Sequence, residues 1–309
     1  MKTTLNQYFQ PLIILSLFFI SATLLTSCYG DGIEKEAKVS TLISGFAGND
    51  AVSVDRKGII YVSEFGIFEN TGGNGTRIFK VAPNGKVLDT IKGLSGPMGT
   101  AKDSKGNLFV NNDNNTVRGE VLKIYPGGNR EVVTSIDGWP SGMTIDRHDN
   151  LYISNFTAPT VHKISADGKV EIIAQDERLA GGVGIDLDSK GNIIVANFAT
   201  ASIYSIDKTG NVSLITTIPD IVFGGFGIGY ITVINDRIYA TGIAVNYIFE
   251  VSLTGETTII AGNGEPAQVD GPLLEASFSN PNGIASDKYR GTLYITEFTG
   301  AGGLRKVSL

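Results

Sequence analysis

Five stretches of this chain repeat one pattern: DAVSVDRKGIIYVSEF at 50–65, MGTAKDSKGNLFVNND at 98–113, SGMTIDRHDNLYISNF at 141–156, VGIDLDSKGNIIVANF at 183–198 and NGIASDKYRGTLYITEF at 282–298. Each reads as a short apolar strand, an aspartate, a polar turn and a second apolar strand. Self-similarity at a fixed period marks a repeat architecture and constrains the fold more than any local propensity does. The aspartates are Asp55, Asp103, Asp146, Asp188 and Asp287. The first four are spaced by 42 to 48 residues, and the last gap of 99 holds two periods. The stretch GFGIGYITVINDRIYATG at 225–242 fills that gap, keeping the strand–turn–strand pattern without the aspartate ahead of the turn.

A third strand follows every pair, at 77–83, 120–126, 160–166, 202–208, 247–253 and 303–309. A glycine-containing turn and a fourth strand follow five of them, at 85–91, 129–135, 168–174, 210–216 and 255–261. The chain stops before a sixth. The stretch AKVSTLIS at 37–44 has the missing pattern and precedes the first repeat, so it is expected to pair with the last blade and close a ring. The fold class is therefore all-β, a six-bladed β-propeller closed by its N-terminal strand. Closure leaves only short edges, which counters edge-to-edge aggregation. The 39 glycines suit many tight turns, and β-branched alternation suits strands. One long insertion, GNGEPAQVDGPLLEASFSNP at 262–281, is expected to hold a single helical turn at PLLEASF.

The N-terminal segment is not part of that fold. A basic start at Lys2, the apolar run 11–25 and small residues before Cys28 describe a secretory signal, shorter than the ~20 apolar residues of a spanning helix. Leu25-Thr26-Ser27-Cys28 resembles the bacterial lipobox, in which the cysteine is lipidated and becomes the first mature residue. Cys28 is the single cysteine, which excludes internal disulfides, CxxC redox pairs and thiolate metal sites. Residues 1–27 thus read as a lipoprotein signal, 28–36 as a tether and 37–309 as the propeller. The expected location is the bacterial cell envelope, with membrane attachment only through the lipid. A net charge of −6 argues against a nucleic-acid partner, since an acidic chain gains nothing from counterion release.

The pattern P-x-G-I-x-x-D-x-x-G-x-L-Y-I-x-[EDN] resembles the NHL repeat and the wider six-bladed clan of gluconolactonases, paraoxonase-like lactonases and strictosidine-synthase-like proteins. AGNGEPAQVDGPLLEASFSNPNGIASD at 261–287 is similar to the blade junction of bacterial NHL proteins. The resemblance covers residues 37–309 and implies the fold; this architecture hosts enzymes and binding modules alike.

Because the inner two strands of a blade run antiparallel, the start of the first lies beside the end of the second. This brings two rings together near the axis on one face. The first is Asp50, Met98, Ser141, Val183, Phe226 and Asn282; the second is Glu64, Asn112, Asn155, Asn197, Gly242 and Glu297. Loops on this face carry Phe65, Trp139, Phe156, Phe198, Phe223 and Phe298. Blades one and six are neighbours, so Asp50, Glu64, Asn282 and Glu297 form a candidate metal set of hard oxygen donors suited to Ca²⁺ or another divalent cation. Within it, Glu64 and Glu297 are the candidate catalytic carboxylates. Phe65, Asn112, Trp139, Asn155 and Asn197 are candidate ligand-binding residues. The bland alternative is that the second-ring Asn and Glu bond the amides of the next turn, and that the aromatics are packing repeats.

In the gluconolactonase-like family a Glu, two Asn and an Asp at strand starts hold the ion; here only Asp50 and Asn282 match. Met98 and Val183 cannot ligate, and Ser141 replaces a carboxylate. Paraoxonase-like and virginiamycin-lyase-like mechanisms need histidine at the central face. Of the two histidines, His148 sits in the opposite turn and His162 in a third strand. Two functions remain: a lipid-anchored envelope module binding a small molecule, glycan or protein partner on its loop face, or a metal-dependent lactonase.

Overall fold

The computed structural model describes residues 37–67, 72–114, 117–221, 226–298 and 302–309. The signal, tether, Cys28 and Phe223 lie outside them. Six antiparallel sheets account for the strands. Blade 1 is Val52–Val54, Ile60–Glu64, Arg77–Val81 and Val87–Lys92. Blade 2 is Thr100–Lys102, Leu108–Asn112, Arg118–Ile124 and Arg130–Asp137. Blade 3 is Pro140–Ile145, Leu151–Asn155, Thr160–Ile164 and Val170–Gln175. Blade 4 is Gly182–Leu187, Ile193–Asn197, Ser202–Ile206 and Val212–Thr217. Blade 5 is Ile228–Ile234, Arg237–Gly242, Tyr247–Ser252 and Thr257–Ala261. Blade 6 is Pro281–Asp287, Thr292–Glu297 and Gly303–Ser308, completed by Lys38–Ser44 from the other end of the chain.

The first strand of each blade lies against that of the next, and Pro281–Asp287 returns to Val52–Val54, so the ring is closed. The N-terminal strand pairs antiparallel with Gly303–Ser308, from Lys38 opposite Ser308 to Ser44 opposite Gly303. The insertion adds the short strand Gly271–Pro272 outside it. Its PLLEASF segment makes the expected single helical turn, with the Pro272 carbonyl accepting from the Glu275 and Ala276 amides, before pairing again at Ser277.

The repeat aspartates build the turns between inner strands. Asp55 Oδ1 accepts from the amides of Lys57 and Ile59, Asp146 Oδ1 from His148 and Asn150, and Asp188 Oδ1 from Lys190 and Asn192. Such Asx geometry is the reason an Asp recurs there. Blade 5 lacks it and uses Asn235-Asp236 instead, both with positive φ (48° and 60°), between the paired residues Ile234 and Arg237. That is the two-residue hairpin turn suited to strand twist.

Neighbouring blades are stitched near the axis. Ser63 Oγ donates to the Met98 carbonyl (2.6 Å), Asn111 Nδ2 to Ser141 (2.9 Å), Ser154 Oγ to Val183 (2.9 Å), Thr241 Oγ1 to Asn282 (2.6 Å) and Thr296 Oγ1 to Asp50 (2.7 Å). The approach is so close that a Cβ on Gly142 would run into the Val183 carbonyl, and one on Gly283 into that of Asp50.

Deleting residues 38–44 should uncover Val39 and Val307, both buried, and expose an unpaired edge. We expect a loss on the order of 5 kcal/mol, about 10–20 °C in melting temperature for a domain of this size. A truncation that melts with the parent would show that closure contributes nothing.

Candidate functional site

Six aromatic side chains line one cavity on the axis. Contacts run from Phe65 to Trp139 (ring centroids 6.4 Å apart), Phe156 (5.7 Å), Phe198 (5.7 Å), Phe226 (5.5 Å) and Phe298 (5.9 Å). Phe65, Phe156, Phe198 and Phe298 occupy one repeat position, directly after the second strand. At that position blade 2 carries Asp113 and blade 5 carries Ile243. Trp139 and Phe226 come from the loops ahead of blades 3 and 5. Phe226 therefore belongs to the aromatic layer, not to the first ring. By strand register Gly229 stands beside Asn282, Val183 and Ser141.

Below the aromatic layer the cavity reaches Asp50, Met98, Val183 and Asn282. Its volume is about 60 Å³. Asp50 and Asn282 are its polar residues. Asn282 Nδ2 donates to Asp50 Oδ1 at 2.9 Å, and the Tyr230 hydroxyl donates to Asp50 Oδ2 at 3.0 Å. Tyr230 reaches the carboxylate through a transposition in blade 5. Where other blades have a side chain and then Gly99, Gly142, Gly184 or Gly283, blade 5 has Gly229 and then Tyr230. The order GY in GFGIGYITV was the available signal.

Asp50 is buried, and desolvation raises its pKa to about 6, partly opposed by the bonds from Tyr230, the Ala51 amide and Asn282. Burial beside this carboxylate holds the Tyr230 hydroxyl well above its usual value. Among the described residues no basic group pairs with Asp50.

The second ring turns away from the cavity. Glu64 forms a bidentate pair with Arg77 and accepts from the Thr76 amide (3.3 Å). Glu297 takes the fully buried Arg305 guanidinium at 2.9 Å, the Ser279 amide at 2.9 Å and the Gln268 amide group. Arg305 also clamps the insertion, through the Ser277 and Val269 carbonyls and Asp270. Asn155 Oδ1 accepts from the amides of Trp139, Thr157 and Ala158, and Asn197 Oδ1 from Ala199 and Thr200. Asn112 Oδ1 accepts from the Ser95 amide. These side chains thus build the loops that carry the rings. Of the four candidate metal ligands the structure brings together Asp50 and Asn282. Among the described residues no three His, Cys, Asp or Glu converge as a metal site would.

The opposite mouth is wide and polar, with a cavity volume of about 650 Å³. Several of its charges are paired: Asp186 accepts from Thr144, the Val233 amide and Lys288, while Lys102 bridges Asp55 and Tyr61. His148 lies exposed in a turn, and His162 sits in a third strand with its pKa lowered by burial.

No family model and no curated protein matches the sequence. Solved structures share the fold. An auxiliary nutrient binding protein from Bacteroides thetaiotaomicron is 18% identical with a TM-score of 0.72, over 88% of this chain and 76% of that one. A gluconolactonase from Xanthomonas campestris is 11% identical with a TM-score of 0.65, over 88% and 90%. Virginiamycin B lyase from Staphylococcus aureus is 17% identical with a TM-score of 0.60, over 89% and 100%. The six-bladed propeller is what these proteins have in common with this chain; among its described residues no helix is long and apolar enough to cross a membrane.

Asp50 carries a pH signature. Its pKa is raised in the folded state, so its contribution to stability is full below pH 3.8 and is lost as pH rises through about 6. The shift from 3.8 to about 6 corresponds to about 3 kcal/mol. The melting temperature of Asp50→Asn minus that of the parent should therefore grow by roughly 6–12 °C from pH 4 to pH 7.5. Parallel pH curves for the two proteins would show that the carboxyl is not held protonated.

Proposed function

We propose that this propeller is a binding module of the bacterial cell envelope that holds a small molecule, a glycan or a side chain of a partner protein in its aromatic mouth. One observation carries the reading: six rings surround a single apolar cavity, while Glu64 and Glu297, the carboxylates best suited to chemistry, are spent on arginines. A cavity that is mostly apolar with a few convergent polar groups is the usual form of a ligand site. That a fold neighbour is an auxiliary nutrient binding protein supports this reading.

Trp139 is the only tryptophan and stands in the cavity wall, so its emission reports occupancy directly. Titrating the purified chain with a panel of oligosaccharides and flat apolar compounds should give a saturable change for at least one of them. By calorimetry, Trp139→Ala should weaken that ligand about tenfold, the worth of one good aromatic contact. A silent panel, in both fluorescence and calorimetry, overturns the reading.

A second reading, a gluconolactonase-like hydrolase using Ca²⁺ or another divalent ion, is supported by the adjacency of Asp50 and Asn282 and by the gluconolactonase among the fold neighbours. It requires Glu64 and Glu297 to leave their arginines. An ion that binds only the folded state raises the melting point by mass action. We expect no rise when EDTA is replaced by Ca²⁺, Mg²⁺, Mn²⁺ or Zn²⁺; a rise that disappears in Asp50→Asn would favour the hydrolase.

Envelope attachment through Cys28 is part of the proposal. Cys28→Ser should move the protein from the membrane to the soluble fraction, and continued membrane association would exclude the lipid anchor.

A further inference from the structure

We propose that the aromatic cup takes a compact organic cation, a quaternary or N-methylated ammonium head group, with Asp50 as its counter-charge. The inference rests on the binding reading and names the ligand class of that site. Four observations carry it.

The floor of the cup holds a buried carboxyl whose hydrogen-bond partners, Asn282, Tyr230 and the Ala51 amide, are all neutral. A buried charge is normally paired, because desolvating it alone is costly. Asp50 has no such partner among the described residues, and the cavity lining contains no Lys, Arg or His. The positive charge is therefore left for something that enters.

Six rings in contact from Phe65 round to Phe298 make up most of the wall, with Ile243 beside them. Aromatic cages of this kind recognise ammonium ligands through the ring quadrupoles, and the attraction is greatest when the cation is desolvated.

The polar inventory selects among cations. A primary ammonium brings three N–H donors that need acceptors, and a hard metal ion needs about six oxygens. The cavity offers Asp50 and Asn282. A methylated ammonium needs only charge and apolar contact, which is what this lining supplies.

The size agrees. A volume of about 60 Å³ holds about four to six water-sized groups, and a trimethylammonium head with its first methylene has five heavy atoms.

The groups that face Asp50 are few. Blades 2, 3 and 4 present Met98, Ser141 and Val183 at its level, blade 6 presents Asn282, and blade 5 presents Tyr230. Only Tyr230 titrates, and burial beside the carboxylate keeps its hydroxyl protonated throughout the working range.

The test compares choline chloride with 3,3-dimethylbutan-1-ol, its neutral isostere, by Trp139 emission and by calorimetry on the purified chain. At pH 7.5 choline should bind at least about tenfold tighter than the alcohol. Asp50→Asn, first shown to be folded by its melt, should bind the alcohol as the parent does and lose the preference for choline. Equal binding of the two probes would overturn the cation assignment and leave the binding reading standing. The same holds for a preference that survives in Asp50→Asn. No response to either probe also overturns the assignment; the binding reading falls with it only if the wider ligand panel is silent as well.

Discussion

The structure depends on how closely six inner strands can approach one axis. Hydroxyl or amide groups at the ends of the second strands, from Ser63 to Thr296, reach across to carbonyls of the next blade. Those bonds form only because glycines at 99, 142 and 283 let backbone meet backbone. Each such bond contributes about 1 kcal/mol, but a buried carbonyl left without a donor would cost more. The close approach also determines what the axis can hold. With the backbones drawn in, one side chain per blade fits at the level of Asp50, and the residues after the second strand are left to form the rim. The aromatic cup is thus a consequence of the packing that holds the blades together.

The repeat made most of the fold legible, because its landmarks are local. An aspartate that caps the turn between two strands reads the same in any blade, and counting third and fourth strands exposed the missing partner at 37–44. What the count could not supply was register in blade 5. There the turn is closed by Asn235-Asp236 rather than by a capping aspartate, so the usual landmark is absent. Matching GFGIGYITV to the other repeats by spacing alone puts Phe226 in the first ring, where strand pairing puts Gly229. With that slip Tyr230, the residue that distinguishes this blade, went unread, although its neighbours in four other blades are glycines.

The two glutamates show why residue type at a matching position is a weak guide to chemistry. Glu64 and Glu297 occupy the same place as Asn112, Asn155 and Asn197, and all five make the same kind of bond to nearby loop amides. The glutamates need a counter-charge as well, and the third strand provides it. Glu64 lies directly opposite Arg77, and Arg305 comes back under Glu297. The two arginines sit at different register positions: Arg77 is the cross-strand partner of Glu64, whereas Arg305 is opposite Ile295 and reaches Glu297 from two residues away. Burying such a pair gains little over an apolar one, but removing either partner strands a charge. Arg305, with no exposed surface and bonds to Glu297, Asp270 and two carbonyls of the insertion, is best understood as the clamp that seats the insertion on blade 6.

Asp50 is the exception to that economy. Every other buried carboxylate near the axis has a cation or a set of backbone amides: Asp186 has Lys288 and two amides, Asp287 has Arg290, Asp55 has Lys102. Asp50 has three neutral donors, Tyr230, Asn282 and the Ala51 amide, no cation, and an apolar ceiling. Its position sharpens the contrast. It lines the narrow cavity, while Val52, two residues on, already lines the wide chamber on the other face. The bond to Tyr230 lies at the level between the two mouths. A solute entering from the aromatic side therefore meets Asp50 as its last contact. A carboxyl placed there for stability alone would serve better as Asn, which can accept from Asn282 and donate to a reoriented Tyr230 hydroxyl without a charge to desolvate. Its cost in the empty protein is recovered only by a ligand that supplies the missing positive charge, which makes the floor of the cup a filter on what it holds.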